Sequence, residues 1–306
     1  MKRVSKLVIQ IPGFNPGPKT LAGNNLYLIG NTRKRTLIDT GEYGNQQCLD
    51  CIKSTIKSEN AEIEQILLTH WHPDHTGGLN QLKSEVCPEA KVFKAELSRC
   101  EKDFIQNLDP EKAGLIMKYK PLFSEFGPGV NPSENSNFEN LSDILDQQNF
   151  KGPDFTLTSL YTPGHAVDHM CFHLKEENAL FTGDNILGGS TTVVEDLFSY
   201  FQSLEKMKAV QAEHLYTAHG HHETPDAVDR YICHRQKRET QILKKLQEVA
   251  VEMNPMDLVD AIYIPEGLKE NLRNPAAGNV LCTLLKLFVE NKVVQGDTSD
   301  VHFRAL

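Results

Sequence analysis

Apolar positions along the chain gather in short runs rich in β-branched and aromatic residues. They fall at Leu7–Ile11, Asn25–Ile29, Arg35–Asp39, Gln65–Thr69, Lys91–Lys94, Phe155–Tyr161, Met170–Leu174, Ala179–Thr182 and His214–Thr217. Runs of this length bounded by turn formers predict strands. Between them the apolar spacing changes to that of helices, near 45–58, 76–84, 98–105, 111–119 and 195–210. Strands lead at first, and both types recur in each half of the chain. This predicts an α/β (α+β) fold of sheets covered by helices and argues against a simple doubly wound parallel sheet.

Two regions break the pattern. Residues 120–153 contain "GPGVNPSENSN" and "QQNFKGPD", turn-rich and polar, which predicts a long surface excursion. From about Asp226 to Val251 a long charged helix is expected. "PMDLVDAIY", "GLKENL" and "PAAGNVLCTLLKLFVENKVV" then read as short helices, and the tail "NKVVQGDTSDVHFRAL" as a β-wing. The expected division is a domain over 1–225 and a helical, winged-helix-like module over 226–306.

The chemistry concentrates at "LLTHWHPDHTGG", which places His70, His72, Asp74 and His75 directly after the run "QILLT". Residues just past the C-terminal end of a buried strand stand at the sheet edge. Imidazoles and a carboxylate at this spacing suit a borderline cation such as zinc. His70 and His72 alternate in extended backbone and point the same way, whereas Asp74 and His75 follow the turn at Pro73. Three further metal-type side chains each follow a β-type run: His165 in "YTPGH", Asp184 in "ALFTGD" and His219 in "HLYTAHG".

The order H-x-H-x-D-H followed by single His, Asp and His residues resembles the metallo-β-lactamase superfamily. "LIDTGE", "YTPGHAVDHM", "ALFTGDNILGGSTTVVEDL" and "YICHRQKRETQIL" extend the resemblance, within its glyoxalase II-like group, over most of the chain. The resemblance implies an αββα sandwich with two related halves and the site along one sheet edge. It further implies two Zn(2+) per chain. His70, His72 and His165 would hold one, Asp74, His75 and His219 the other, and Asp184 would bridge them. Asp39 would support the loop without ligating. Ala218 departs from the Pro-Gly usual before the last histidine, which alters that turn.

Two zinc ions would activate water toward phosphorus or a carbonyl carbon, and the seven ligands do not discriminate between them. Asp74 or His169 would assist proton transfer. By resemblance, a common β-lactamase would carry cysteine in place of Asp184. Nucleases with an inserted cap domain need far more than the 34 residues between Asp184 and His219. The resemblance implies, as the first expectation, an endoribonuclease acting on single-stranded RNA. Glyoxalase II-like thioester hydrolysis is the alternative, and a non-catalytic, metal-stabilised binding protein a minor one. Candidate substrate contacts are Thr191 and Thr192 in the flexible loop after Asp184, Tyr200 as a base-stacking ring, and Arg235, Lys237 and Arg238 in "HRQKR".

Charge narrows the partners. The formal net charge is −9, which argues against a generic polyanion binder. Residues 1–60 carry nine Lys/Arg against four Asp/Glu, a balance of +5, leaving −14 on the remainder. No acidic residue precedes Asp39, a start faintly like an organelle transit peptide, although "KLVIQI" already reads as a strand. Mitochondrial matrix follows from the resemblance, with the cytoplasm as alternative. The seven cysteines read as reduced thiols, the C-x-x-C at Cys48 and Cys51 included. No apolar run is long enough for a membrane span, no secretory signal is expected, and no obligate protein partner is evident, so the chain is expected as monomer or homodimer.

Overall fold

In a computed structural model, the described residues are 1–17, 20–106, 110, 112–115, 118–119, 141–296 and 301–306. Strands β1 (Lys2–Arg3), β2 (Val8–Pro12), β3 (Asn25–Ile29), β4 (Lys34–Ile38), β5 (Glu62–Leu67), β6 (Lys91–Lys94) and β7 (Ser142–Asp143) form one sheet in chain order. Its first part is antiparallel, and β4 through β7 run parallel. Helix α1 (Gln46–Ser58) connects β4 to β5. Helices α2 (Pro73–Thr76) and α3 (Leu79–Glu85) connect β5 to β6, and α4 (Leu97–Gln106) follows β6.

The second sheet contains β8 (Asn149–Lys151), β9 (Thr156–Tyr161), β10 (Met170–Leu174), β11 (Ala179–Gly183) and β12 (His214–Thr217), in the order β12-β11-β10-β9-β8. Helix α5 (Leu197–Ala209) crosses from β11 to its parallel neighbour β12. The long helix α6 (Ala227–Val249) then leads to α7 (Pro255–Leu258), a π-turn over Val259–Tyr263, α8 (Arg273–Val289) and the antiparallel pair β13 (Val293–Gln295) and β14 (Phe303–Ala305). The basic, acid-free start of the chain thus contains β1 and β2.

Alternation along the strands explains the layering. Tyr27, Ile29, Ile38 and Leu67 face Phe172 and Phe181 of the second sheet, forming the core between the sheets. Their neighbours Leu26, Leu28, Leu37 and Ile66 face outward, under Cys48, Leu49 and Ile52 of α1 and Leu79 and Leu82 of α3. On the other side Cys171, Leu180 and Leu215 lie under Leu197, Tyr200 and Leu204 of α5 and Val228 and Ile232 of α6. Both faces of each sheet are therefore apolar at period two, and the architecture is an αββα sandwich.

The C-terminal elements have a core of their own. Ile242 and Leu246 of α6 pack with Leu258, Val280, Leu281, Leu284, Val293 and Phe303, and Leu115 and Tyr119 join them. The expected wing is the β13–β14 pair. One expectation needs correction: residues 120–153 are not all surface excursion, because β7 pairs with β6 and β8 with β9, extending both sheets. The stretch 120–140 lies outside the described residues, as do 111 and 116–117 in the expected helix 111–119. Residues 112–115 and 118–119 are helical.

Candidate metal centre

The strand β5 delivers Thr69 and His70 to the sheet edge. Pro73 then opens α2 at its first turn, so the chain folds back and Asp74 and His75 face the same space as His70 and His72. His165 arrives from the turn after β9, Asp184 from the end of β11 and His219 from the end of β12. The structure brings these seven side chains together in two groups. His70, His72, His165 and Asp184 form one, and Asp74, His75 and His219 the other, with potential ligand atoms within 4.8 Å of one another in each.

The donor atoms converge closely. Nδ1 of His72 stands 2.8 Å from Nε2 of His70 and 3.0 Å from Nε2 of His165. Asp184 faces both groups, Oδ2 at 3.5 Å from His165 Nε2 and Oδ1 at 3.4 Å from His75 Nε2 and 3.2 Å from His219 Nε2. Oδ2 of Asp74 stands 3.4 Å from His75 Nε2 and 3.3 Å from His219 Nε2. His75 Nε2 and Asp184 Oδ1 are buried and lack a hydrogen-bond partner. Nitrogen lone pairs and carboxylate oxygens crowded in this way fit a cation, which satisfies all of them at once.

The electrostatics divide along the same line. Burial drives His70, His72 and His165 toward the neutral form, His72 down to about 3. Burial opposes charge on His75 and His219 too, but Asp74 and Asp184 overcome it and raise both, His219 to about 9. The same imidazoles hold Asp74 and Asp184 below the usual carboxylate range against their burial. Both carboxylates are thus anionic and available to a metal.

Surrounding contacts set which nitrogen each ring presents. The Asp39 carboxylate accepts the Thr69 backbone N–H at 2.8 Å and stands 2.8 Å from His75 Nδ1, so the His75 proton sits on Nδ1 and Nε2 faces inward. Asp39 itself has a φ of +61°, a conformation unusual outside glycine that turns the chain into the cluster. The Thr69 hydroxyl bridges Asp39 and His70 Nδ1. Asn24 donates to the Asp74 backbone oxygen at 2.9 Å and to Asp74 Oδ2 at 3.2 Å. Buried Lys94 pairs with buried Asp168, tying β6 to the turn that carries His165. Thr69, Asn24 and the Lys94–Asp168 pair escaped sequence reasoning. Only the polarity of Lys94 within an apolar strand offered a hint.

Several expected contacts stand elsewhere. His169 is fully buried, with Nδ1 3.0 Å from the Thr162 hydroxyl and Nε2 accepting the Asp184 N–H at 3.1 Å. Both nitrogens are engaged, so His169 holds the Asp184 backbone and is not placed to carry protons. Gly183 makes room for it: at φ +50°, a Cβ here would come within 2.4 Å of His169 Nε2. Tyr200 does not offer a stacking face, because it lies in the core with its hydroxyl donating to the Asn185 carbonyl. Thr191 is exposed, but Thr192 is buried behind His165, its hydroxyl 3.0 Å from Nδ1. In "HRQKR" only Lys237 of the three named cations is exposed. Arg235 points inward and donates to the Thr192 carbonyl. Arg238 pairs with Glu266 and lies 4.5 Å from the Tyr263 ring centre.

Residues 20–219 match the Metallo-beta-lactamase superfamily. The chain belongs to that superfamily. Residues 255–300 match the Beta-lactamase associated winged helix domain, which covers α7, α8 and β13. A "Beta-lactamase-like protein 2 homolog" of Caenorhabditis elegans is 35% identical over 94% of this chain and 86% of its own. Another, of Drosophila melanogaster, is 33% identical over 98% and 94%. "Lactamase-like protein adaB" of Aspergillus niger is 34% identical over 93% and 82%. Among solved structures, a metallo-beta-lactamase family protein of Thermus thermophilus superposes with a TM-score of 0.74 at 21% identity, over 99% of this chain and 100% of its own. A beta-lactamase domain protein of Burkholderia ambifaria gives 0.79 at 17% identity, over 99% and 93%. The metallo-beta-lactamase fold is generally hydrolytic, and its His/Asp cluster here is fit for metal. Among the described residues no helix is long and apolar enough to cross a membrane.

Proposed function

We propose that this protein is a dinuclear zinc endoribonuclease that cleaves single-stranded RNA. The observation that carries the hydrolytic part is Asp184, which turns one carboxylate oxygen toward each group of imidazoles. In this reading His70, His72 and His165 would hold one zinc, Asp74, His75 and His219 the other, and Asp184 would serve both. Bound there, zinc would supply Lewis acidity and a water activated near neutral pH. Asp39, through His75, keeps the ring nitrogen aimed. Asp74 is the more exposed carboxylate of the two, at 22% of its side chain, and would be the one to assist proton transfer. Asn24 donates to its Oδ2 and holds the group in place.

Single strands suit this site better than duplexes. The centre sits at a sheet edge, where an unpaired strand can bend its phosphate inward and a stiff duplex cannot. Trp71 packs edge-on against His72, and Tyr43 is 82% exposed on the loop that lies against Gly77. Such rings offer unpaired bases a stacking surface. Lys237 remains the exposed cation of the basic helix turn, with Thr191 exposed on the loop beyond Asp184. The same reading places the protein in the mitochondrial matrix as monomer or homodimer.

Thioester hydrolysis is the second reading. It is favoured by the net charge of −9 and by the engagement of Arg235 with a buried carbonyl and of Arg238 with Glu266, which takes two of the three candidate cations from a phosphate chain. The deciding experiment offers purified protein single-stranded RNA, single-stranded DNA and a glutathione thioester in parallel. Efficient RNA cleavage with the thioester intact is the expected result. The opposite pattern replaces the RNA reading with the thioester one.

A further inference from the structure

The segment after the Asp184 loop is a strap between two parts of the molecule. Three successive carbonyls are all engaged. Thr192 O accepts from the Arg235 guanidinium of α6. Val193 O stands 2.8 Å from His165 Nδ1. Val194 O accepts from the Cys282 thiol of α8 at 2.9 Å. In extended backbone, carbonyls alternate in direction. The first and third are therefore held by the C-terminal helices, while the middle one turns toward the candidate metal centre.

That middle carbonyl has a chemical consequence. A carbonyl accepts only, so its contact places the His165 proton on Nδ1 and leaves the Nε2 lone pair facing His72 and Asp184. The Thr192 hydroxyl, 3.0 Å from the same Nδ1, flanks it. Arg235 is unusual for a cation on a surface helix. It is 6% exposed, its second hydrogen bond is to the neutral Asn279 side chain of α8 at 3.4 Å, its guanidinium carbon lies 5.7 Å from the Tyr200 ring centre, and its Nε is buried without a hydrogen-bond partner. Burying a guanidinium against neutral oxygens costs stability, and the carbonyl it fixes lies one residue from the one that orients His165.

We infer that Arg235 and Cys282 are positioning residues: through the 192–194 strap, the C-terminal module sets the tautomer and direction of His165 and thereby tunes one of the two metal positions. The inference rests on the metal assignment of the proposed function and is independent of the substrate. It assigns the C-terminal module a part in building the centre, separate from any contact with substrate.

Zinc affinity tests it directly, by competition with a chromophoric chelator on the full-length protein. Losing such an outer partner typically weakens metal binding about 10- to 100-fold. In Arg235→Met one zinc equivalent is expected to weaken by that factor while the other holds its affinity. Cys282→Ala should weaken the same equivalent by less. Lys244→Met, on an exposed part of α6, should leave both unchanged. A general loss of stability would lower both equivalents together, so the split separates positioning from folding. Wild-type affinity for both equivalents in folded Arg235→Met overturns the inference. Should that variant fail to fold, unchanged binding in both Arg235→Lys and Cys282→Ala overturns it instead. Wild-type protein that takes up no zinc would overturn the metal assignment itself, a result distinct from either.

Discussion

At the scale of single residues, the histidines near the centre differ in what they touch. His75 is fully buried, with Nδ1 against Asp39 and Nε2 facing two carboxylates. His221 lies two residues beyond His219, is 67% exposed in its side chain and pairs with Glu223. His72→Ala and His75→Ala are each expected to lower kcat by at least about 100-fold, with a zinc equivalent lost, because outer partners alone already cost about 10- to 100-fold. His221→Ala should stay within about twofold of wild type, as expected of an exposed substitution. Metal analysis alongside steady-state kinetics checks both, and a His75→Ala protein with two zinc ions and normal turnover would refute the two-group assignment.

Elements aim these residues through buried contacts that can be broken singly. Lys94 in β6 and Asp168 in the turn after His165 are 7% and 0% exposed. Burial pushes the Asp168 carboxyl up, and Lys94 is what counters it. Lys94→Met leaves that carboxylate buried and unpaired, so it should cost about 3–5 kcal/mol in denaturant unfolding. Adding Asp168→Leu should recover a large part, since a buried ion pair replaced on both sides by apolar groups is often neutral. A double variant no more stable than Lys94→Met would show that the pair is not an isolated unit. A second element-level contact is the close approach of Gly183 to His169. Gly183→Ala combines a left-handed backbone with an overlap against the ring, and about 1–3 kcal/mol of destabilisation is expected in the same assay. His169 would be displaced from the Asp184 N–H, so zinc affinity should fall as well.

For the whole molecule, the two halves contribute unequally to one centre. The first sheet supplies four of the seven side chains from one loop, and the second supplies three from three separate strand ends. Chelation should abolish turnover and added zinc should restore it, because the donors are prearranged by the folded scaffold. Activity that persists in demonstrably metal-free protein would end the hydrolase reading as stated. Binding of single-stranded RNA should weaken as salt rises, in proportion to the phosphates neutralised. The C-terminal module is not a detachable appendage. Ile242, Leu246, Leu115 and Tyr119 are covered by α8, β13 and β14, so a chain ending before Met253 would expose an apolar face and lose Cys282 and Asn279. Such a protein is expected to unfold at lower denaturant concentration, and both RNA and small-phosphodiester hydrolysis should suffer.

What the sequence determined by itself is the local part. Strand and helix periods place most elements to within a few residues, because alternation and helical spacing follow from which faces each segment must bury. The cluster from His70 to His75 is legible for the same reason, since its members are neighbours along the chain. His165, Asp184 and His219 are individually weak signals, joined by resemblance before the structure brings them together. Only the tertiary structure decided the roles of His169, Thr192, Tyr200 and Arg235. Each is polar, near a ligand in sequence or carried on a basic helix, and so reads as a surface or proton-transfer group. In the fold, Tyr200 packs beneath the Gly164 backbone, His169 beneath Asp184, and Arg235 between α8 and the strap. A side chain's chemistry is written in its type, but whether its polar atoms meet solvent, substrate or a backbone carbonyl depends on elements far away in the chain, and that is settled only by packing.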